Sequence, residues 1–443
     1  MSNKKQKSIP TSKIKRAAKI AGTSAKVGGN YMKYYSKKLI NNKHTKDELH
    51  NDNATDIYDT LSELKGSALK VAQMMSMDEQ VLPDAYQEKF SMSQYSAPAL
   101  SYPLISKTFK EYLGKKPDEI FDTFSKEAVN AASIGQVHKA TKDGKKLAVK
   151  IQYPGVADSI SSDLKLIKPL AARLFNMKSA DLKMYLEEVE SKLIEETHYM
   201  NELKNGEEIR SLCTSFENIK FPKYYKELSS DRILTMDWIE GEMFTDFIKR
   251  CDDQGLKNKI GQSLWDFTLY QMRELQMVHA DPHPGNFIIS NDGQLCVIDF
   301  GCVKVIPDDF ARYYYQLLRP DILEHEDELM EIYEKMDFFR AEDKPEDKAK
   351  LRAVYERMIT LLGKPFHHDS FDFGDDEFFK AIFSMGEDIS KDKSIRKLNN
   401  ARGSRDAIYV MRTFFGLYNL LHQLNAKVDL NYPIFLPKGS KVA

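Results

Sequence analysis

The sequence predicts an α+β fold in which a short strand-rich region follows helices and precedes a mainly helical second half. Two observations predict it. In IGQVHKA and KKLAVKIQY, between residues 134 and 153, apolar residues recur with a period of two, as in strands. The segments on either side keep the helical spacing of three to four, and nothing shows an alternating strand–helix order. A length of 443 residues allows two or three units at about 150 residues each. With 42% hydrophobic and 30% charged residues, the chain has an ordinary globular composition. The four cysteines (Cys213, Cys251, Cys296, Cys302) lack CxxC spacing, which argues against a disulfide framework or an all-cysteine zinc site and fits a reducing cytoplasm.

Taken in order, residues 1–50 form a basic arm. Residues 1–46 hold thirteen Lys/Arg and no Asp or Glu, leaving 52 basic and 66 acidic residues, a balance of -14, in the remainder. Such an arm suits an anionic membrane surface or nucleic acid. Its apolar residues Ile14, Ala17, Ile20 and Ala21 are too weak a set to define a membrane-lying helix, and the arm is expected to be partly disordered, either solvated or attached peripherally to an anionic membrane. No signal-peptide core is present. Residues 51–125 read as a helical extension, with the stripe Ile57, Leu61, Leu64, Ala68, Val71 and Met75 and more helix to about 113. In 126–242 two strands flank the Asp-Gly turn of TKDGK. A long helix over 181–205 carries Leu182, Leu186, Val189 and Leu193 on one face, and RILTMDWIEG forms a strand leading to a Gly turn. Residues 243–443 are mainly helical. The apolar stretch AIYVMRTFFGLYNLL is interrupted by Arg412 and Asn419 and is too short to span a bilayer, so it is expected as a buried C-terminal helix.

The stretch VHADPHPGNFIIS raises the question of chemistry. His279, Asp281 and His283 lie within five residues, a spacing that hydrolases use for metals, and Pro282, Pro284 and Gly285 rule out a helix. The strands after it point elsewhere. Residues 286–290 and 295–299 flank Asn291-Asp-Gly-Gln294, a four-residue hairpin connection. Pairing Ser290 with Leu295 would set Asn286 opposite Asp299, about 4.5–5.5 Å apart at Cβ. Oxygen ligands of this kind suit Mg²⁺. Asp-x4-Asn, a hairpin and then Asp299-Phe-Gly is the catalytic and metal-binding arrangement of protein kinases. In it Asp281 accepts the hydroxyl proton, and Asn286 and Asp299 hold Mg²⁺ on the phosphates of ATP. His279 then takes the place of the histidine that opens the kinase loop, and His283 shapes the loop or contacts phosphate. A second triplet, Asp372-Phe373-Gly374, lies 91 residues past Asp281 without an apparent strand before it and reads as a surface turn.

A kinase also needs a strand lysine and a helix glutamate. Ala148-Val149-Lys150 supplies the first, and Glu202 is the expected partner, with Glu195 and Glu196 competing. No G-x-G-x-x-G precedes the lysine strand. Its place holds Asn130-Ala-Ala-Ser-Ile-Gly-Gln136, where alanine cannot take the φ > 0 conformations open to glycine and stiffens the phosphate-covering loop.

AASIGQVHKA, LAVKIQYPGV, HADPHPGN and IDFG together resemble the AarF/UbiB/ADCK family of atypical kinases. The resemblance is strong over about 53–310, weaker in the arm and faint after about 330. It implies a bilobal protein-kinase-like fold: an N-lobe over 126–242, a mainly helical C-lobe over 243–443, and the N-terminal extension packed over the ATP site. It implies ATP and Mg²⁺ as cofactors and an ATPase or kinase activity supporting isoprenoid quinone biosynthesis or lipid homeostasis at a membrane surface. ATP hydrolysis is better supported than protein phosphorylation. Isoprenoid lipids, quinone-biosynthesis proteins and the anionic membrane are the implied partners, without nucleic acid or a transmembrane segment. By the same resemblance, Ala131, Ala132, Ser133, Lys150, Asp237 and Ile239 surround the nucleotide. Lys70 and Gln73 of Lys70-Val71-Ala72-Gln73 project into the active site, with Ala72 where the family has glycine. The family's Glu-x-Asp element corresponds to Glu196-Thr197-His198, in which His198 supplies no carboxylate. A non-catalytic ATP-binding scaffold and a small-molecule kinase are the alternatives. A conventional regulated protein kinase is disfavoured, because DFGCVKVIPDDF contains no Ser, Thr or Tyr to phosphorylate.

Overall fold

The computed structural model describes residues 13–40, 46–64, 86, 89, 100–132, 134–175, 179–392, 395, 403–430 and 434–435. They form two compact units, residues 1–204 with 223–238, and 205–222 with 239–443.

In the first unit an antiparallel sheet joins strands β1 (Thr123–Phe124), β2 (Asn130–Ala132), β3 (Gly135–Lys142), β4 (Lys145–Gln152) and β6 (Ile233–Asp237) in the order β1-β3-β4-β6, with β2 also on β3. The β3–β4 hairpin runs from Gly135↔Gln152 to Lys142↔Lys145. Asp143 and Gly144 turn it with φ of 50° and 75°, the double positive φ that matches strand twist in a two-residue turn. Its longer helices among the described residues include α1 (Lys13–Ile40), α2 (Lys46–Leu64), α3 (Tyr102–Leu113), α4 (Val156–Phe175) and α5 (Ser179–Glu196). Ile57, Leu61 and Leu64 of α2 join Ile105, Phe109, Ile151, Leu164 and Leu193 in one apolar core.

The basic arm differs from the expectation. Its residues 13–40 are helix, and Arg16, Ile20, Thr23 and Val27, at i, i+4, i+7 and i+11, are buried. Arg16 meets Asp163 of α4 through two N–H···O bonds of 2.6 Å. A third, of 2.9 Å, caps the Leu64 carbonyl in the last turn of α2. Ser159 Oγ also donates to Asp163, at 3.0 Å. A residue that composition assigns to a solvated tail is therefore the charged anchor of a helix bundle. The long helix over 181–205 is also two helices: α5 ends at Glu196 and α6 (Tyr199–Leu212) restarts after Thr197-His198. Thr197 turns inward, and its carbonyl accepts from Gln152 Nε2 at 3.1 Å and from Arg232.

On the same sheet, His138 is fully buried. Its Nδ1 lies 2.7 Å from the Ser125 carbonyl, which can only accept, so Nδ1 carries the proton and Nε2 accepts from Gln136 Nε2 at 2.7 Å. Gln136 Oε1 in turn accepts from Leu100 N–H at 2.7 Å.

The second unit holds strands β5 (Ile219–Lys220), β7 (Gly241–Met243), β9 (Phe287–Ser290) and β10 (Leu295–Val297) in the order β5-β10-β9-β7, and the pairs β8 (Met277–His279) with β11 (Val303–Val305) and β12 (Ser370–Asp372) with β13 (Lys427–Asp429). Its longer helices are α7 (Gln254–Tyr270), α8 (Glu326–Lys335), α9 (Pro345–Gly363), α10 (Asp376–Lys391) and α11 (Arg405–Gln423). The late apolar stretch lies on α11 as expected, with Val410, Phe414, Leu417, Tyr418 and Leu421 buried. Among the described residues no helix is long and apolar enough to cross a membrane.

Three local expectations are corrected here. The β9–β10 register pairs Leu295 with Ile289, not Ser290. The connection is three residues, closed by Ser290 N–H to the Gln294 carbonyl, with Gly293 left-handed at φ 74°. A three-residue loop ending in a left-handed glycine shifts the register by one, so Asn286 opposes Ile298 rather than Asp299. Gly241 opens strand β7 rather than a turn, and a Cβ there would lie 2.3 Å from the Ile289 carbonyl oxygen. The second Asp-Phe-Gly triplet follows a strand, β12, and Phe373 is fully buried against Trp265 and Tyr418. Only Asp372 is on the surface.

Two predictions follow from the first unit. Arg16→Ala leaves a buried carboxylate without its partner and should destabilise the protein by about 3–5 kcal/mol in denaturant unfolding. Replacing both partners (R16M with D163L) should cost much less, and equal losses would show that the ion pair is not the anchor. For His138, burial pushes the ring below its usual pKa, so the folded state favours the neutral form. Its contribution to stability is complete above about pH 6.5 and falls as the pH drops towards the lowered value. H138Q should flatten that slope, and identical slopes in both proteins would place the acid loss elsewhere.

Candidate active site

The first unit holds a buried lysine and its carboxylate partner. β4 is paired on both sides, with Val137 and Leu234 flanking Lys150, so Lys150 is 7% exposed. Its Nζ donates to both carboxylate oxygens of Glu202, at 3.0 and 2.9 Å. Glu202 is 2% exposed and sits in the first turn of α6, where the helix dipole favours negative charge. The Tyr199 ring, one turn earlier on α6, lies 5.1 Å from Lys150 Nζ. Gly135 has to be glycine here, because a Cβ would meet the Ile151 carbonyl oxygen at 2.3 Å and Tyr199 Oη at 3.0 Å. Neither Tyr199 nor Gly135 figured in the sequence reading. The i, i+3 spacing of Tyr199 and Glu202 is the signal that could have pointed to the former.

The alanine segment is more ordered than a loop. Ala131 and Ala132 lie on β2, opposite Gln136 and Gly135, so the backbone is held in a tight hairpin. Asp237 ends β6 with its carboxylate engaged structurally, accepting from Tyr225 Oη at 2.8 Å and Lys223 N–H at 3.1 Å. Ile239 is half-buried between β6 and β7. Ser133, Lys70 and Gln73 lie outside the described residues.

The second unit, taken by itself, holds an acidic set. α7 ends in a five-residue π-turn, Gln271–Leu275, followed by Gln276 with φ 51°. This local unwinding lets the buried Gln271 side chain accept the His279 N–H at 2.8 Å. His279 Nε2 lies 2.7 Å from the Asp299 carbonyl and donates to it, which ties the two halves of the motif together. Asn286 Nδ2 donates to the Asp281 carbonyl at 2.8 Å and to its carboxylate at 3.3 Å. Asp299 Oδ1 accepts from Gly301 N–H at 2.9 Å. His283 shapes the turn, its Nδ1 accepting from Gly285 N–H at 3.0 Å.

These bonds dispose of the metal-hydrolase pattern. Each histidine commits a ring nitrogen, His279 to the Asp299 carbonyl and His283 to Gly285 N–H, and among the described residues no three His, Cys, Asp or Glu are grouped to hold a metal. The oxygens fit a different ion. With Nδ2 given to Asp281, the amide oxygen of Asn286 is the atom left for a cation, and Asp299 adds a carboxylate. Two protein oxygens suit Mg²⁺, which retains waters and takes phosphate oxygens for the rest. Asp372 makes the same local bond as Asp299, to Gly374 N–H at 2.8 Å, but stands exposed at the end of β12.

Comparison with known proteins identifies the family. The profile of the ABC1 atypical kinase-like domain matches residues 92–333, more than half of the chain. The chain is 27% identical over 329 residues to the probable serine/threonine-protein kinase abkA of Dictyostelium discoideum, covering 71% of this chain and 57% of that protein. It is 30% identical over 283 residues to AarF domain-containing protein kinase 1 of Xenopus laevis, covering 61% and 54%. The chain thus spans about half the length of these curated relatives. Among solved structures, the Rv3197–erythromycin complex from Mycobacterium tuberculosis matches with a TM-score of 0.59 at 27% identity, covering 88% of this chain and 95% of that one. With its kinase-like α+β fold, the chain belongs to the ABC1, or AarF/UbiB/ADCK, family of atypical kinases.

Proposed function

We propose that the chain binds Mg²⁺-ATP and transfers its terminal phosphoryl group, to water more readily than to protein. The observation that carries this reading is the clasp in which Asn286 holds Asp281 while His279 holds the Asp299 backbone. It fixes one proton acceptor and two oxygen donors on a single framework. The buried Lys150–Glu202 pair supports it independently, since that lysine would meet phosphate oxygens and Glu202 would keep it extended. Asp281 would accept the proton of the attacking water or hydroxyl. Mg²⁺, held by Asn286 and Asp299, would neutralise charge on the phosphates.

The segment after Asp299 favours hydrolysis or a small acceptor over regulated protein phosphorylation. It pairs at once with β8, as Val303↔His279 and Lys304↔Val278, and the chain re-enters helix at Asp308. No hydroxyl side chain is available there to order it by phosphorylation. An isoprenoid or quinone-type acceptor at a membrane is the class that the family resemblance favours. The outer face of α1 supports a membrane surface, because Tyr31, Met32 and Tyr35 are exposed beside Lys33.

Three outcomes are expected. Asp299→Asn should abolish Mg²⁺-dependent ATP binding in calorimetry while Asp372→Asn leaves it intact; unchanged affinity in folded Asp299→Asn overturns the assignment. Asp281→Asn should keep Mg²⁺-ATP binding and lower turnover by about 10²–10⁴-fold, the range for a lost general base. A wild-type protein that binds but never hydrolyses ATP would instead be a nucleotide-binding scaffold. Replacing Tyr31 and Tyr35 with Ser and Lys33 with Glu should weaken sedimentation with anionic vesicles, most at low salt. Equal sedimentation of both proteins would remove the membrane role of α1.

A further inference from the structure

We infer that the C-terminal helix α11 is a fixed brace for the candidate catalytic loop, and that Gly416 and Tyr409 are positioning residues for Asp281. This rests on the role proposed for Asp281. Gly416 lies well inside α11, where glycine is about 1 kcal/mol less favourable than alanine. A close contact explains its presence. A Cβ at 416 would lie 2.2 Å from Pro282 Cγ and 3.2 Å from the Pro282 carbonyl oxygen. Pro282 directly follows Asp281, and its ring cannot swing aside as a flexible side chain would.

Tyr409 is seven residues earlier, two turns along the same face of the helix. Lys304 Nζ sits 4.6 Å from the centre of its ring. Lys304 belongs to β11, which pairs with the strand leading into the loop, and Ala280 N–H donates to the Cys302 carbonyl at 2.9 Å. One helix face therefore touches the residue after Asp281 and the segment after Asp299.

The helix has no room to retreat. Its other side buries Val410, Phe414, Leu417 and Leu421, Tyr418 Oη donates to the Leu362 carbonyl at 2.8 Å, and His422 Nδ1 lies 2.8 Å from the Phe373 carbonyl. The buried phenylalanine of the second Asp-Phe-Gly triplet thus anchors the end of the brace. In this chain, packing by α11 holds the post-Asp299 segment in the role that a phosphate fills in kinases with a phosphorylated activation loop.

The test uses the full chain, with Mg²⁺-ATP as the probe. Gly416→Ala should push the loop outward and lower kcat by about 10²-fold, the scale of an ångström-sized misplacement, with KM for Mg²⁺-ATP little changed. Tyr409→Leu should lower kcat as well, and Tyr409→Phe, which keeps a ring beneath Lys304, should restore it. Amide exchange in the nucleotide-free protein gives a readout independent of turnover. Protection at residues 277–283 should drop in Gly416→Ala and Tyr409→Leu, while protection in the β3–β4 hairpin stays at the wild-type level. If wild type shows no hydrolysis but the exchange pattern appears, the brace stands and the phosphoryl-transfer reading fails. Wild-type kcat together with wild-type protection at 277–283 in Gly416→Ala overturns the brace. If that variant does not fold, equal kcat and equal exchange in Tyr409→Leu and Tyr409→Phe overturn it instead.

Discussion

The buried Lys150–Glu202 ion pair sets conditions that much of the first unit has to meet. Two charges removed from water are tolerable only when each holds the other with good geometry. The lysine therefore needs a strand paired on both sides, and the glutamate a helix that starts at the right height. β4 meets both needs. Two residues beyond Lys150, on the same face, Gln152 binds the Thr197 carbonyl at the break between α5 and α6. The strand thus fixes where α6 begins, at Tyr199, and three residues later where its carboxylate arrives. Gly135 completes the arrangement, since a side chain there would strike both β4 and Tyr199.

The acidic set of the second unit is built by a different principle. Its bonds are short-range and mostly to backbone: Asn286 to the Asp281 carbonyl, His283 to Gly285, Asp299 to Gly301. Such contacts are dictated by the sequence of the turn itself, and two prolines limit its freedom. The Gln271–His279–Asp299 chain reaches outside it, and that chain depends on the π-turn at the end of α7. A set built in this way needs a rigid setting more than a large core.

This contrast explains what could be read from the sequence. The Asp143-Gly144 hairpin, the Asp281-x4-Asn286 spacing and the apolar face of the last helix are local, and they were legible. Arg16 was not, because Asp163 lies 147 residues away and composition sees only another basic residue in a basic stretch. The β9–β10 register differs by one residue from the four-residue reading because Gln294 pairs with Ser290, the left-handed Gly293 closing a three-residue loop. The interruption of the 181–205 helix was hidden for a related reason. Thr and His are compatible with helix, and only the carbonyl partners supplied by Gln152 and Arg232 reveal why the chain stops there. Phe373 shows the same limit: its burial depends on Trp265 and Tyr418, both distant in sequence.

The distance between Arg16 and Asp163 has a consequence during synthesis. Ribosomes add about 5–20 residues per second, so the partner of Arg16 is made on the order of ten seconds or more after Arg16 itself. For that interval the carboxylate that anchors Arg16 is missing, and α1, strongly positive, has only α2 to pack on, through bonds such as Asn30 to Asp56 and Arg16 to the Leu64 carbonyl. A nascent chain of this kind is open to capture by anionic surfaces and chaperones before it can dock.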